Sequence, residues 1–290
     1  MIPLVEVLTR TEEYLRQKGI GSARLEAELL LGHVLAMDRL NLYLAHDRPL
    51  TEDELTQLRP LLKQRGQRQP LSWVLKTRGF HQIDLQMAQG VFDPRPDTET
   101  LVEAALQLLD PHTDVIYVVD VGCGSGCVGL AIAAAHNGVR LYAVDLDPTA
   151  VATTRANVQK LGLEQRVAVL TGHLLTPIPT HRSIDWVVSN PPYIPTDDIS
   201  KLEPEVATWE PKAALDGGPD GLDVYRELIP LAAKRVRRGI LLEVGFDQAD
   251  AVTSLLEQAG FGHFKTFNDL AGIRRVVTAR TSDAPFLPNS

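Results

Sequence analysis

The sequence predicts an α/β protein: an open, mostly parallel sheet covered by helices, preceded by a small all-α domain. Three observations predict it. The run Val118-Val119-Asp120-Val121 breaks into glycines at 122, 124 and 126 and then into the apolar stretch 128–135, the strand–loop–helix opening of a doubly wound sheet. A second strand, 139–145, ends in Asp145, nineteen positions after Gly126. A third run, Ile184-Asp185-Trp186-Val187-Val188-Ser189, stops at Asn190-Pro191-Pro192-Tyr193. In open α/β sheets ligands bind at such strand ends.

Composition narrows the class. A chain of 290 residues can bury a substantial core as one large domain or two modest ones. Its formal charge of −8 argues against life on duplex DNA, where binding is driven by phosphate neutralisation. Cys123 and Cys127 are its only cysteines. They make no disulfide framework and a poor zinc site, so they read as small apolar packing residues in a reducing compartment. Residues 1–8 lack the basic start of a signal peptide, and no apolar run is long enough to span a bilayer. The expectation is a cytoplasmic protein with no membrane contact.

Taken in order, residues 5–66 are helical. Leu4, Val5, Leu8 and Leu15 recur at helical spacing, as do Leu25, Leu29, Leu30, Val34 and Leu35. Thr51-x-x-Glu54 is a capping box, and Pro60 is expected to kink or shorten the helix it opens. We read 1–78 as a helical domain that docks a partner, protein rather than nucleic acid because it is not basic. Residues 80–85 alternate with period two, placing a hairpin linker at 79–95. Pro94-Arg95-Pro96 then stops regular structure, and Asp97 or Thr98 is placed to cap a helix over 99–109. The remainder, 96–290, is one domain. Within it a helix is expected over 148–161, a strand over 166–170, helices over 222–236 and 248–259, and strands over 239–244, 261–267 and 274–279. Residues 194–221 are polar and rich in Pro, Gly and Asp, and read as a lid. Arg274-Arg275 reads as a solvated or carboxylate-paired element, and the tail after Arg280 as frayed.

The stretch Asn190-Pro191-Pro192-Tyr193 carries the chemistry. Two prolines remove two N–H donors and fix two φ angles, so the carbonyls here cannot enter a ladder or helix. Asn190 adds a side-chain carbonyl and Tyr193 a flat face with a polar tip. Together they suit a planar NH2 group. The glycine loop and Asp145 alone would equally fit a nicotinamide enzyme, but hydride transfer has no use for a cradle of acceptors.

With these motifs on one chain, the sequence resembles the adenosyl-methionine-dependent amino methyltransferases. Pro94-Arg95-Pro96-Asp97-Thr98-Glu99, Glu210-Pro211 with 214–218 and 220–222, and Asp269-x-x-Gly272-x-Arg274 are similar to the HemK-type release factor glutamine methyltransferases. The resemblance covers nearly the whole chain. It implies a Rossmann-like class I methyltransferase sheet ending in an antiparallel pair. It implies S-adenosyl-L-methionine held by Gly122, Cys123, Gly124, Ser125, Gly126, Asp145, Leu174 and Asn190, with Thr98 at its methionine end. It implies Asn190, Pro191 and Tyr193 as catalytic residues, joined by Pro192 in binding the substrate, and no metal. The implied substrate is the glutamine of the Gly-Gly-Gln motif in class-1 peptide chain release factors, with no direct nucleic-acid partner. Two departures stand out: relatives usually carry an acid where His173 stands, to meet the adenine amino group, and an apolar residue near Asp93. Alternatives are an adenine-N6 DNA methyltransferase, with a flipped base on Tyr193, a glutamine methyltransferase acting on a ribosomal protein, and a cofactor-binding protein without catalysis.

Overall fold

The structure, a computed structural model, describes residues 2–110, 113 and 115–282. The expectation of a frayed tail falls, from residue 283 onward, outside the described residues. The chain forms two compact units: Met1–Thr77 with Glu203–Trp209, and Arg78–Leu202 with Glu210–Ser290.

The first unit is helical. It contains α1 (Leu4–Gln17), α2 (Ala23–Leu35), α3 (Arg39–Leu44), α4 (Glu52–Gly66) and α5 (Leu71–Leu75), and a short antiparallel pair of β1 (Ile2–Pro3) with β2 (Pro49–Leu50). Leu4, Leu8, Leu15, Leu30, Leu31 and Leu42 form its core. Val5, Leu25 and Leu29, which the leucine spacing puts on the apolar stripe, are exposed instead. On α2 the buried face is Ala23, Ala27, Leu30 and Leu31, spaced i, i+4, i+7 and i+8; two alanines let the helices approach where the sequence suggests larger leucines. Thr51 and Glu54 form the capping box: Glu54 N donates to Thr51 Oγ1 (3.3 Å) and Thr51 N to Glu54 Oε2 (2.8 Å). Pro60 does not shorten α4, which continues to Gly66, because the buried Leu58 and the packed Leu61 and Leu62 hold the helix to the core on either side of the missing N–H. Arg65 is only 4 % exposed, and its guanidinium is satisfied by Glu26, by Glu205 (2.7 Å) and by the Gln69 carbonyl (3.2 Å). Arg68 donates to the same Glu205, and Trp209 Nε1 donates to the Gln67 carbonyl (3.2 Å). A segment far along the chain, 203–209, is thereby part of the helical unit.

The second unit begins at Arg78, within a hairpin of β3 (Thr77–Phe80) and β4 (Ile83–Gln86). Its turn falls at His81 and Gln82, inside the alternating run that reads as one strand; His81 takes φ +51°. Then follow α6 (Glu99–Leu108), β5 (Ile116–Val121), α7 (Cys127–Ala135), β6 (Val139–Asp145), α8 (Pro148–Lys160), β7 (Val167–Thr171), β8 (Ile184–Ser189), α9 (Asp223–Ala233), β9 (Val236–Glu243), α10 (Ala249–Gln258), β10 (Phe261–Asn268) and β11 (Arg274–Thr281). The seven strands β5–β11 form one sheet in the order β10-β11-β9-β8-β5-β6-β7. Strands β9, β8, β5, β6 and β7 are mutually parallel, and β11 runs antiparallel to both its neighbours, which is the expected closing pair. All six residues of β8 are buried, as in a sheet covered on both faces. Strand β9 starts earlier than expected because Arg237 and Arg238 disguise it; both lean on the buried Asp185, at 2.8 and 3.8 Å.

The topology fixes where a ligand can sit. From β5 the chain goes outward to β6 and β7 and then returns to the other side at β8, so the switch point lies between β5 and β8. The register aligns Val121 with Val144 and with Ser189, and the Ser189 hydroxyl donates to the Val121 carbonyl (2.7 Å). The glycine loop, Asp145 and Asn190 therefore leave the sheet side by side. The close fit of α7 on the sheet depends on Gly129: its N–H donates to Asp120 Oδ2 (2.9 Å), and a Cβ there would stand 2.8 Å from that oxygen and from Leu141 Cδ2. Gly129→Ala is expected to destabilise the protein by about 1–3 kcal/mol, the usual cost of an overpacked core, in urea or thermal unfolding; an alanine variant as stable as the parent contradicts this packing.

Candidate active site

The glycine loop is built by backbone, not side chains. Gly122 N–H and Cys123 N–H both donate to the Val144 carbonyl (2.8 and 3.0 Å), and Gly126 N–H donates back to the Cys123 carbonyl (2.7 Å). Gly122, Gly124 and Gly126 take φ of +71°, +58° and +83°, conformations that L side chains resist. A Cβ on Gly122 or Gly124 would meet nothing within 4 Å, so the loop borders open space. Cys123 (3 % exposed) and Ser125 (1 %) turn their side chains inward, and only their backbone can face a ligand. The loop is braced from α8, where Thr154 Oγ1 donates to the Gly124 carbonyl and Asn157 Nδ2 to that of Ser125, both at 2.9 Å. The thiols are packing groups, and burial pushes both of them up.

Asp145 closes one side. Its Oδ2 accepts from Gly124 N–H (2.8 Å) and its Oδ1 from Asp147 N–H (2.9 Å). Burial pushes its carboxyl up despite these donors. The second lone pairs of the two oxygens are what a vicinal diol needs. Leu174, at φ +49°, buries its side chain in the core beneath β7 and β8, so it too can offer only backbone. His173 turns its Nε2 to Glu227 Oε2 (2.8 Å).

The proline stretch lies beside this cradle. Asn190 Nδ2 donates to Thr98 Oγ1 (3.2 Å). Thr98 does not cap α6, as its sequence position suggests, because its hydroxyl is turned inward to Asn190. Among the described residues, no N–H or O–H of the protein donates to Asn190 Oδ1 or to the Pro191 carbonyl. The Tyr193 carbonyl, by contrast, accepts from Gln248 Nε2 (2.9 Å), and Gln248 is itself fixed by Gly245 N–H at its Oε1 (3.0 Å). Gly221 comes so close that a Cβ there would lie 2.2 Å from the Tyr193 carbonyl oxygen. One carbonyl of the stretch is thus pinned and the two acceptors before it are left open.

A ring of charge surrounds Tyr193. Burial, then Glu243, pushes its phenol up, while Arg275 and Arg95 pull the other way. Arg95 pairs with Glu210, stands 3.6 Å from Asp93 and lies over the Phe92 ring at 5.0 Å. Asp93, the unexpected polar residue, is therefore neutralised within this cluster, with Arg78 at 3.9 Å. The 194–221 segment is tied at its base, where Ile194 N–H donates to the Leu215 carbonyl (3.0 Å) and Gly217 N–H to that of Ile194 (2.9 Å). Arg274 and Arg275 are carboxylate-paired as expected, to Asp250 at 2.6 Å and Asp269 at 2.9 Å.

Glu243 was not singled out by sequence reasoning. It ends β9, the strand next to β8, and is 1 % exposed; burial pushes its carboxyl up to about 7. An acid closing the apolar run Ile240-Leu241-Leu242 was the available signal. Gln248 left none. No helix among the described residues is long and apolar enough to cross a membrane.

The cradle and the open acceptors can hold a ligand with a diol and a backbone-facing polar chain next to a planar NH2 group. The chain is similar to known proteins over most of its length. Residues 6–75 match the family described as the PrmC N-terminal domain, and residues 84–203 the methyltransferase small domain. A release factor glutamine methyltransferase of Geobacter sulfurreducens is 41% identical over 277 residues, covering 95% of both chains. That of Rhodospirillum rubrum is also 41% identical, over 98% of this chain and 87% of its own. The hMettl16 catalytic domain, solved with an RNA hairpin, shares the fold alone: TM-score 0.57 at 16% identity, over 71% of this chain and 79% of that one. The chain belongs to the release factor glutamine methyltransferase family.

Proposed function

We propose that the chain methylates the side-chain amide nitrogen of the glutamine in the Gly-Gly-Gln motif of class-1 peptide chain release factors, in the cytoplasm. The observation that carries this reading is the pair of unengaged oxygens, Asn190 Oδ1 and Pro191 O, beside a glycine cradle and Asp145.

An amide nitrogen is a poor nucleophile because its lone pair is delocalised into its carbonyl. Asn190 Oδ1 and the Pro191 carbonyl accept hydrogen bonds from its two N–H groups, which turns the lone pair out of conjugation and aims it at the cradle; once the methyl group is bonded, the cationic nitrogen is acidic and releases one proton to solvent. Tyr193 and Pro192 hold the amide plane. Each hydrogen bond contributes only about 1 kcal/mol net, whereas fixing two reactants in line contributes about 7–11 kcal/mol. Positioning is therefore the larger effect. S-adenosyl-L-methionine supplies the electrophilic methyl group and a good leaving group. The backbone of 122–126, Asp145 and the backbone of Leu174 would hold it, with a smaller share from Asn190. The helical unit, to which 203–209 belong, docks the protein substrate.

Two measurements test this. Purified release factor, duplex DNA and ribosomes are incubated side by side with labelled S-adenosyl-L-methionine, and label is expected on the release-factor glutamine alone. Methylation of DNA or of ribosomal protein in its place overturns the substrate assignment. The second measurement separates the two halves of the site. Asn190→Ala is expected to reduce kcat by a factor of about 100 or more while cofactor affinity stays within a few-fold. Asp145→Ala is expected to raise the cofactor Kd about tenfold or more, a loss of about 1.4 kcal/mol, in titration calorimetry. Wild-type turnover in Asn190→Ala contradicts the scheme.

A further inference from the structure

Asn190 serves the reaction only if its oxygen, not its NH2, faces the substrate. Its amide is held within the protein by one contact, to the Thr98 hydroxyl. A hydroxyl is both donor and acceptor and by itself suits either end of an amide. Something else must break the tie. Thr98 is 1 % exposed, so no solvent competes for its proton. Glu243 follows Leu242, the register partner of Ser189, so its carboxyl stands on the next strand beside Asn190, where the hydroxyls of Thr98 and Tyr193 favour its charged form. Oε2 of Glu243 is buried and has no partner, which makes this carboxylate a strong competitor for any nearby proton.

We propose that Glu243, acting through the Thr98 hydroxyl, is the positioning residue that fixes which end of the Asn190 amide faces the substrate. A carboxylate only accepts, so it takes the single hydroxyl proton of Thr98. Thr98 Oγ1 is then left as an acceptor, satisfied by Asn190 Nδ2, and Oδ1 is turned to the open side. If Glu243 takes up a proton, its hold on the Thr98 proton weakens. The hydroxyl is then free to donate to Asn190, and the opposite amide orientation becomes available. This rests on the role proposed above for Asn190.

The surroundings decide where that protonation falls. Burial raises the carboxyl to about 7; Thr98, Arg275 and Tyr193 favour its charged form, and Asp97 opposes it. Behind it lie the Cys127 thiol of α7 and Tyr225 of α9, whose hydroxyl donates to the Glu243 backbone carbonyl (2.7 Å). Glu99, at the start of α6, is occupied by the His81 N–H (3.0 Å). Just before α10, Gln248 is occupied by Gly245 and Tyr193. The competent form is the carboxylate, so the sign is fixed: activity falls as pH drops through about 7.

The test is a pH profile of kcat at saturating cofactor and release factor. Wild type is expected to show an acid limb near pH 7. In Glu243→Gln, kcat at pH 8 is expected to fall about tenfold, the limb to vanish, and the KM for cofactor to stay within twofold; a tenfold change corresponds to one hydrogen bond misdirected. Thr98→Val is expected to match it, and Thr98→Ser, which keeps the hydroxyl, to restore most of the rate. Should Glu243→Gln fold poorly, the valine and serine variants decide alone. A Glu243→Gln enzyme with wild-type kcat and an intact limb, or a valine variant as fast as the serine one, overturns the proposal. Wild-type turnover of release factor establishes the underlying reaction independently of these variants.

Discussion

Everything at this site depends on a backbone that has nowhere to place its hydrogen-bond acceptors. Strand β8 is buried along its whole length and ends where Pro191 and Pro192 cannot continue a ladder. Unsatisfied carbonyls buried near a sheet normally cost stability. Here Asn190 Oδ1 and the Pro191 carbonyl are left without a donor among the described residues, whereas the Tyr193 carbonyl, two residues on, is taken by Gln248. The parallel register of β5, β6 and β8 sets those oxygens beside the glycine loop and Asp145, so the exposed acceptors and the cofactor cradle share one edge.

The electrostatics beneath that edge follow from burial. Asp120 lies behind the loop and has its carboxyl pushed up to about 7, with Gly129 N–H opposing the shift and Asp145 adding to it. Glu243 occupies the equivalent depth one strand beyond Asn190. These acids stand in a low-dielectric layer where a single hydrogen bond sets the orientation of its neighbours.

Much of this was legible locally. Strands β5, β6 and β8, the glycine loop, Asp145 and the proline stretch each announce themselves within a few residues, because buried parallel strands read as continuous apolar runs and loops as glycine or proline. The closing strands β10 and β11 were expected near their observed bounds, and their antiparallel pairing was implied by the resemblance. What escaped depends on partners distant in sequence. Thr98 looks like a cap until Asn190 arrives beside it. Glu243 is only a strand-ending acid until β9 is placed next to β8. The early start of β9 is hidden by arginines whose partner, Asp185, lies on another strand. The turn at His81 is hidden because a histidine there takes a φ usually left to glycine. The surface position of Leu25 and Leu29 could not be read from spacing, since alanines on the adjacent face do the packing.

The most direct measurement is a structure of the chain with S-adenosyl-homocysteine and a short peptide carrying the Gly-Gly-Gln sequence. The glutamine amide nitrogen is expected about 2.9 Å from both Asn190 Oδ1 and the Pro191 carbonyl oxygen, ordinary N–H···O distances, with its lone pair toward the sulfur. A glutamine whose carbonyl oxygen faces Asn190, or whose nitrogen sits away from both oxygens, contradicts the account.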